Sequence, residues 1–188
     1  MRIGGDVRRP MAIPLRLISL VLLLGAVVSG CSRPASPPAS VAKGQTYVTW
    51  STLEPDKLAS IWLIKRHLDP EAKFEFTDRE GDLPPGIPFD VPQAEYRRYA
   101  NHSCFEFILQ KHKITDPTLG RIGALIHDLE VNYWGQKRFP ESTVLAGQLE
   151  SMVLSNSVGP EVRVQQALGV FDRLAESLRA SADQEHQK

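Results

Sequence analysis

Cysteine is scarce: the 188 residues hold two, Cys31 and Cys104. Cys31 belongs to a leader described below, which leaves Cys104 without an intramolecular partner and rules out a disulfide scaffold. Net charge is missing too, with 22 basic and 22 acidic residues. The first thirty residues hold four arginines and one aspartate, so the remainder carries 18 basic and 21 acidic residues, a net of −3. A mildly acidic chain lacks the phosphate-neutralising surface on which nucleic-acid affinity depends, which excludes that class of partner. No apolar run reaches the about 20 residues of a comfortable membrane span. Walker, G-x-S-x-G and H-E-x-x-H signatures are missing, no carboxylate pair has diagnostic spacing, and no repeat recurs. The sequence offers no ready-made catalytic mechanism.

What is present begins with an address. Arg2, Arg8, Arg9 and Arg16 precede a short apolar run, Leu17 to Val28, the pattern of a positive n-region and an h-region. Val28-Ser29-Gly30-Cys31 resembles the bacterial lipobox, in which the cysteine thiol is lipidated and becomes the mature N-terminus. Residues 1–30 are therefore expected to be a lipoprotein signal peptide, starting at Met1 or Met11, with the membrane as partner through Cys31. Ser32 resembles the residue that directs outer-membrane sorting, so the expected location is the cell envelope, facing the periplasm. Residues 31–46 are rich in proline, serine and alanine and read as a disordered tether. Residues 47–180 read as one domain, and 181–188 as a polar tail, with fraying expected after Ala180.

Thr49 to Pro70 organises that domain. Ser51 followed by Glu54 has capping-box spacing, and Pro55 suits a first helical turn. Leu58, Ile61, Trp62 and Leu68 recur at helical spacing until Pro70 stops the helix, which should lie against the core with Trp62 as its largest anchor. Tyr47 to Trp50 before it and Lys73 to Thr77 after it read as strands, which makes a βαβ unit. Ile87 to Phe89 and Ala94 to Tyr99 are further strand candidates. From there the pattern turns helical. Ser103 and Glu106 form a second capping box, Asp116-Pro117 opens the next helix, and Pro140 and Pro160 open two more. Val144, Leu145, Leu149 and Met152 should face inward from the third of these, and Val164, Leu168, Phe171, Leu174 and Leu178 from the last. The fold class is α+β, a small βαβ-containing sheet followed by a predominantly helical layer.

The run D-K-L-A-S-I-W-L-I-K-R-H-L-D-P-E-A-K-F, Asp56 to Phe74, resembles the C-terminal domain family of the chromate-resistance protein ChrB. The resemblance continues through I-P-F-D-V-P (Ile87 to Pro92), S-C-F-E-F (Ser103 to Phe107) and I-H-D-L-E (Ile126 to Glu130), and covers roughly Tyr47 to Leu154. Asp56, Lys57, Trp62, Arg66 and Asp128 fall on its motif positions. A histidine often stands in the family where Arg98 aligns, so a family site using that position is in doubt here. In the ChrB regulator the domain follows a regulatory half; here a signal precedes it, and transcription control is not expected.

His127 and Glu130 are the most suggestive pair for chemistry. Three residues apart on a helix, they lie about 60° apart on the flank of the apolar face, where an imidazole and a carboxylate could share one ion. Asp128 points to the other flank, nearer Arg121. A metal site would need donors from elsewhere, with Glu106, Cys104 or His102 available: an oxygen-rich set would favour manganese or iron, a thiolate zinc. Against this stands a half-buried histidine hydrogen-bonded to Glu130. Cys104 beside Phe105 reads first as a small buried hydrophobe, with a reactive thiol or a soft metal ligand as the alternatives. His112 and His67 read as structural histidines at helix ends. Lys65 and Arg66 read as a solvated face, and Lys57 and Arg66, nine residues apart, cannot clamp one oxyanion.

These readings converge on an exported, lipid-anchored protein that contributes to chromate and metal stress resistance by binding a metal or oxyanion. The alternatives are a metal-dependent periplasmic enzyme using His127, Glu130 and Asp56, and an envelope scaffold that binds a partner protein through its helical layer.

Overall fold

A computed structural model describes residues 42–78, 83–155 and 157–185. The leader, Cys31 and most of the tether lie outside these residues. Among the described residues the order is β1 (Thr46–Trp50), α1 (Pro55–Leu63), β2 (Lys73–Thr77), β3 (Ile87–Pro88), α2 (Cys104–Lys111), α3 (Pro117–Glu130), α4 (Pro140–Leu154) and α5 (Pro160–Glu185). The class is α+β, as the periodicities indicate.

The strands form a parallel sheet in the order β2-β1-β3, with Tyr47 opposite both Phe74 and Ile87. Tyr47 stacks on Phe74 and meets Phe89 edge-on, so β1 is buried on both faces, as a central parallel strand must be. Gly86 lets β3 close on β1, since a Cβ there would sit 2.6 Å from Val48 Cγ1. The chain is tied down just before β1: Gly44 and Gln45 N–H groups donate to Asp69 at 2.9 Å each. Thr46, assigned to the tether from composition, is the first residue of β1.

α1 is buried along its whole length rather than on one face, from Asp56 to Leu63. It is the central post, packed against α2, α3, α4 and α5. Its last turn, Ile64–Leu68, widens to π-helical geometry, with Asp69 N–H donating to Ile64 O at 2.7 Å. Ser51 does not cap it. Pro55 sets the first helical position, Glu54 is the cap residue without a side-chain bond, and Ser51 N–H instead extends the sheet ladder to Thr77 O.

The later caps form as read. Ser103 and Glu106 exchange their reciprocal bonds at 3.1 and 2.9 Å, and Asp116 accepts from Leu119 N–H. Ala94 to Tyr99 is not a strand; it forms an isolated Phe89–Tyr96 bridge just past β3, Tyr96 packs its ring on Tyr47 of β1, and its Oη is spent on His112 Nε2 at 2.7 Å. Val144 is 61% exposed, because α4 turns Ser142, Leu145 and Leu149 inward instead. α5 stays helical beyond Ala180, to Glu185. None of the described helices is long and apolar enough to cross a membrane.

Candidate functional site

β1 is the central strand, and beyond its carboxyl end the chain leaving it for α1 comes beside the chain leaving β3. A cleft of about 260 Å³ opens there, between the β1–α1 loop and the chain leaving β3, and Trp50, Glu54, Lys57, Asp90 and Arg98 contribute to its walls.

Lys57, in the first turn of α1, is 3% exposed. Its ammonium donates to Thr52 O at 2.7 Å and Trp50 O at 3.2 Å, carbonyls left over where β1 ends, and stands 3.7 Å from Asp90 Oδ2. Burial lowers its pKa, against the pull of Asp90 and Glu54. Asp90 holds a backbone φ of 48°, a conformation an aspartate adopts at some cost. Burial pushes its carboxyl up to about 7; Asp56 and Glu54 push the same way and Lys57 opposes.

Beside this pair Arg98 joins carboxylates from three places. Its Nη2 reaches Glu54 at 3.0 Å and Glu130 at 2.6 Å, and its Nε lies 3.7 Å from Asp56. Glu130, at the end of α3, is pushed up to about 7 by burial, with Arg98 opposing; it also accepts the Asp56 N–H. Asp56 is fully buried, and its carboxylate receives the Cys104 and Phe105 N–H groups at 2.6 and 3.0 Å, thereby capping α2 from α1. Burial raises its pKa against those donors and Arg98. Four carboxylates (Glu54, Asp56, Asp90, Glu130) thus share two cations, Lys57 and Arg98; burial first, and this surplus of acids second, raises the carboxyls of Asp90 and Glu130. Cys104 adds no nucleophile, because burial and the neighbouring Asp56 raise its thiol well above the ordinary value.

The residues proposed from sequence divide between places. His127 meets Glu106, Nδ1 to Oε2 at 2.8 Å, on the wall of a second hollow. Glu130 is not with them, being held by Arg98, and Cys104 is enclosed behind Asp56. Among the described residues no three His, Cys, Asp or Glu side chains gather so as to hold a metal, and the quartet His127, Glu130, Glu106 and Cys104 does not assemble. His102 bonds its neighbour Asn101. Arg66 is not simply solvated: it forms a two-pronged pair with Asp172 at 3.0 and 2.8 Å, and Trp62 Nε1 donates to the same carboxylate at 2.7 Å. Lys57 and Arg66 do face different sites, as their spacing requires. Asp128 points inward under the α3–α4 loop.

Asp90 and Asp172 were missed as site residues. Asp90 lies in the quoted I-P-F-D-V-P run, and its place between prolines in a loop was the available signal. Asp172 meets its partners across more than a hundred residues, and nothing local announces it.

The fold and cleft define an α+β ion-pair domain, a short parallel sheet whose central strand ends at an under-neutralised carboxylate cluster. The chain belongs to the family described as ChrB, C-terminal domain, which matches residues 47–178. It is 31% identical over 91 residues to Protein ChrB of Cupriavidus metallidurans, covering 47% of this chain and 28% of that protein. The chain thus spans less than a third of that relative's length. No solved structure matches it.

Proposed function

We propose that this is a lipid-anchored envelope protein that contributes to resistance against chromate and metal stress, and that its domain holds a small oxyanion in the cleft of Lys57, Asp90 and Arg98. One observation carries the reading: the four separated runs that resemble ChrB meet at one cluster. The first supplies Asp56 and Lys57, the second Asp90 to Pro92, the third the Cys104 and Phe105 N–H groups, and the fourth Glu130. An oxyanion suits the lining better than a divalent cation. Lys57, Arg97 and Arg98 face Glu54 and Asp90 there, and a protonated Asp90 no longer repels an anion. Chromate, a tetrahedral dianion, would accept from the ammonium and guanidinium groups.

Deleting the gene in a strain that depends on it should raise chromate sensitivity. Wild type should restore growth and Lys57→Met should not, with a thermal melt confirming that the variant folds. A deletion strain indistinguishable from its parent on chromate, divalent metals and peroxide would overturn the role. Calorimetry tests the ligand: chromate should give binding heat at pH 8, where it is the dianion, whereas heat from Mn²⁺ or Zn²⁺ alone would reassign the cleft to a cation.

A further inference from the structure

The loop between α3 and α4 is built more firmly than a connection requires. Asp128, 1% exposed, accepts the Arg138 and Phe139 N–H groups at 2.8 and 3.2 Å and the Asn132 side chain at 2.9 Å. Lys137 Nζ crosses the loop to the carbonyls of Asp128, Asn132 and Tyr133. Gly135 is obligatory, since a Cβ there would lie 1.9 Å from Asn132 Oδ1. The side chains this frame leaves standing out are Tyr133, 62% exposed, and Trp134, 94% exposed, packed edge-to-face at 4.8 Å. A buried carboxylate and a half-buried lysine hold the loop from which the two aromatic rings stand out into water.

We propose that Tyr133 and Trp134 form a tip that seats in the headgroup region of an anionic phospholipid bilayer. Both residues are amphipathic aromatics, the types that settle at membrane–water interfaces. The loop from Val131 to Phe139 carries Lys137 and Arg138 and no carboxylate, and the acids that flank it are engaged: Glu130 by Arg98, Asp128 by the loop's own N–H groups, and Glu141 by Arg121. A protein partner fits less well. A stable interface needs about 800 Å² per side, whereas an aromatic ring supplies at most about 150–250 Å², and Asn132, Gly135 and Gln136 surround the rings with polar or bare backbone surface. The contact does not use the lipid on Cys31, but it rests on the envelope placement proposed above.

Tryptophan emission tests it directly. Of the chain's three tryptophans, Trp62 is 2% exposed, Trp50 is half-buried and Trp134 stands in solvent. The full chain is mixed with phosphatidylglycerol-containing vesicles whose acyl chains are brominated, and the spectrum of Trp134→Phe is subtracted to isolate Trp134. The expected result is a blue shift and quenching of that difference spectrum, weaker on phosphatidylcholine vesicles, with Tyr133→Ser lowering the partition roughly tenfold. Unchanged melting of both variants secures the fold. A protein that sediments with the vesicles while Trp134 stays quenchable from water would overturn the tip and leave the leader's anchoring intact. A blue shift that needs protein concentration but no lipid would overturn it in favour of self-association.

Discussion

Asp90 and Asp128 are both buried aspartates, yet their protons behave in opposite ways, and the difference is the supply of donors. Asp128 accepts from two backbone N–H groups and an asparagine, which together outweigh burial and hold its carboxyl down to about 2. Asp90 has Lys57 at 3.7 Å and two acidic neighbours, so burial wins and it rises to about 7. Glu130 rises to about 7 for the same reason. A raised carboxyl binds its proton more tightly folded than unfolded. Its stabilising effect is complete below the unfolded value near 4, and is lost as pH climbs through about 7, at up to about 1.4 kcal/mol per pH unit for each group. Asp128 has the reverse sign, but its window lies below pH 4. His67, lowered by burial and by Arg179, loses stability as pH falls below about 6.5 and partly masks the trend. The comparison of wild type with Asp90→Asn cancels that term. Denaturant unfolding at pH 5, 6, 7 and 8 should give wild type a stability that falls with pH more steeply than the variant. Parallel profiles would mean that Asp90 is ionised throughout.

At the scale of elements, carboxylates borrowed from one segment finish another. Asp56 of α1 caps α2, Glu130 of α3 takes an N–H of α1, Asp128 of α3 holds the approach to α4, and Asp69 secures the chain entering β1. Caps whose partners lie three residues away were legible, as with Ser103–Glu106 and Asp116. Those that span 48 or 49 residues, as Asp56 does, leave no local trace. Ser51–Glu54 had the spacing of a cap without its role, because Pro55 fixes where the helix starts and Arg98 draws Glu54 away. The βαβ unit was readable because β1 and β2 are short β-branched or aromatic runs around a strongly apolar helix. Ala94 to Tyr99 carries two aromatics as those strands do, but a hydrogen bond from Tyr96 to His112 and a bridge from Tyr99 to His102 account for them. The cleft was only half readable. Asp56 and Lys57 could be singled out, while their meeting with Asp90, Arg98 and Glu130 is a property of the packing. A paired substitution separates true from apparent caps. Asp56→Ala strips two buried N–H groups and one of Arg98's carboxylates, and should cost on the order of 3 kcal/mol. Ser51→Ala should stay within about 0.5 kcal/mol. Equal losses in urea unfolding would contradict the assignment of the α2 cap.

For the molecule as a whole, the proposed placement at the envelope rests on two separable contributions, one from the leader and one from the domain. On that proposal the lipobox-like Val28 to Cys31 run is a covalent address, and the exposed Tyr133 and Trp134 are a weak, reversible contact. A single weak membrane signal gives marginal binding, and stable anchoring takes a second. A proline-rich tether of the kind read between Cys31 and Thr46 spans roughly 3.1 Å per residue when extended, long enough that the lipid alone would not dictate which face of the domain meets the bilayer. Cys31→Ser should therefore accumulate as unprocessed precursor in cells, as should wild type treated with globomycin. Trp134→Ser should be processed normally and stay in the membrane fraction while releasing more readily at high salt, because the lysine and arginine beside it act through screened charge. If Cys31→Ser matures at the wild-type rate and yields a soluble product, the lipid anchor is wrong, and any membrane association left over belongs to the aromatic tip.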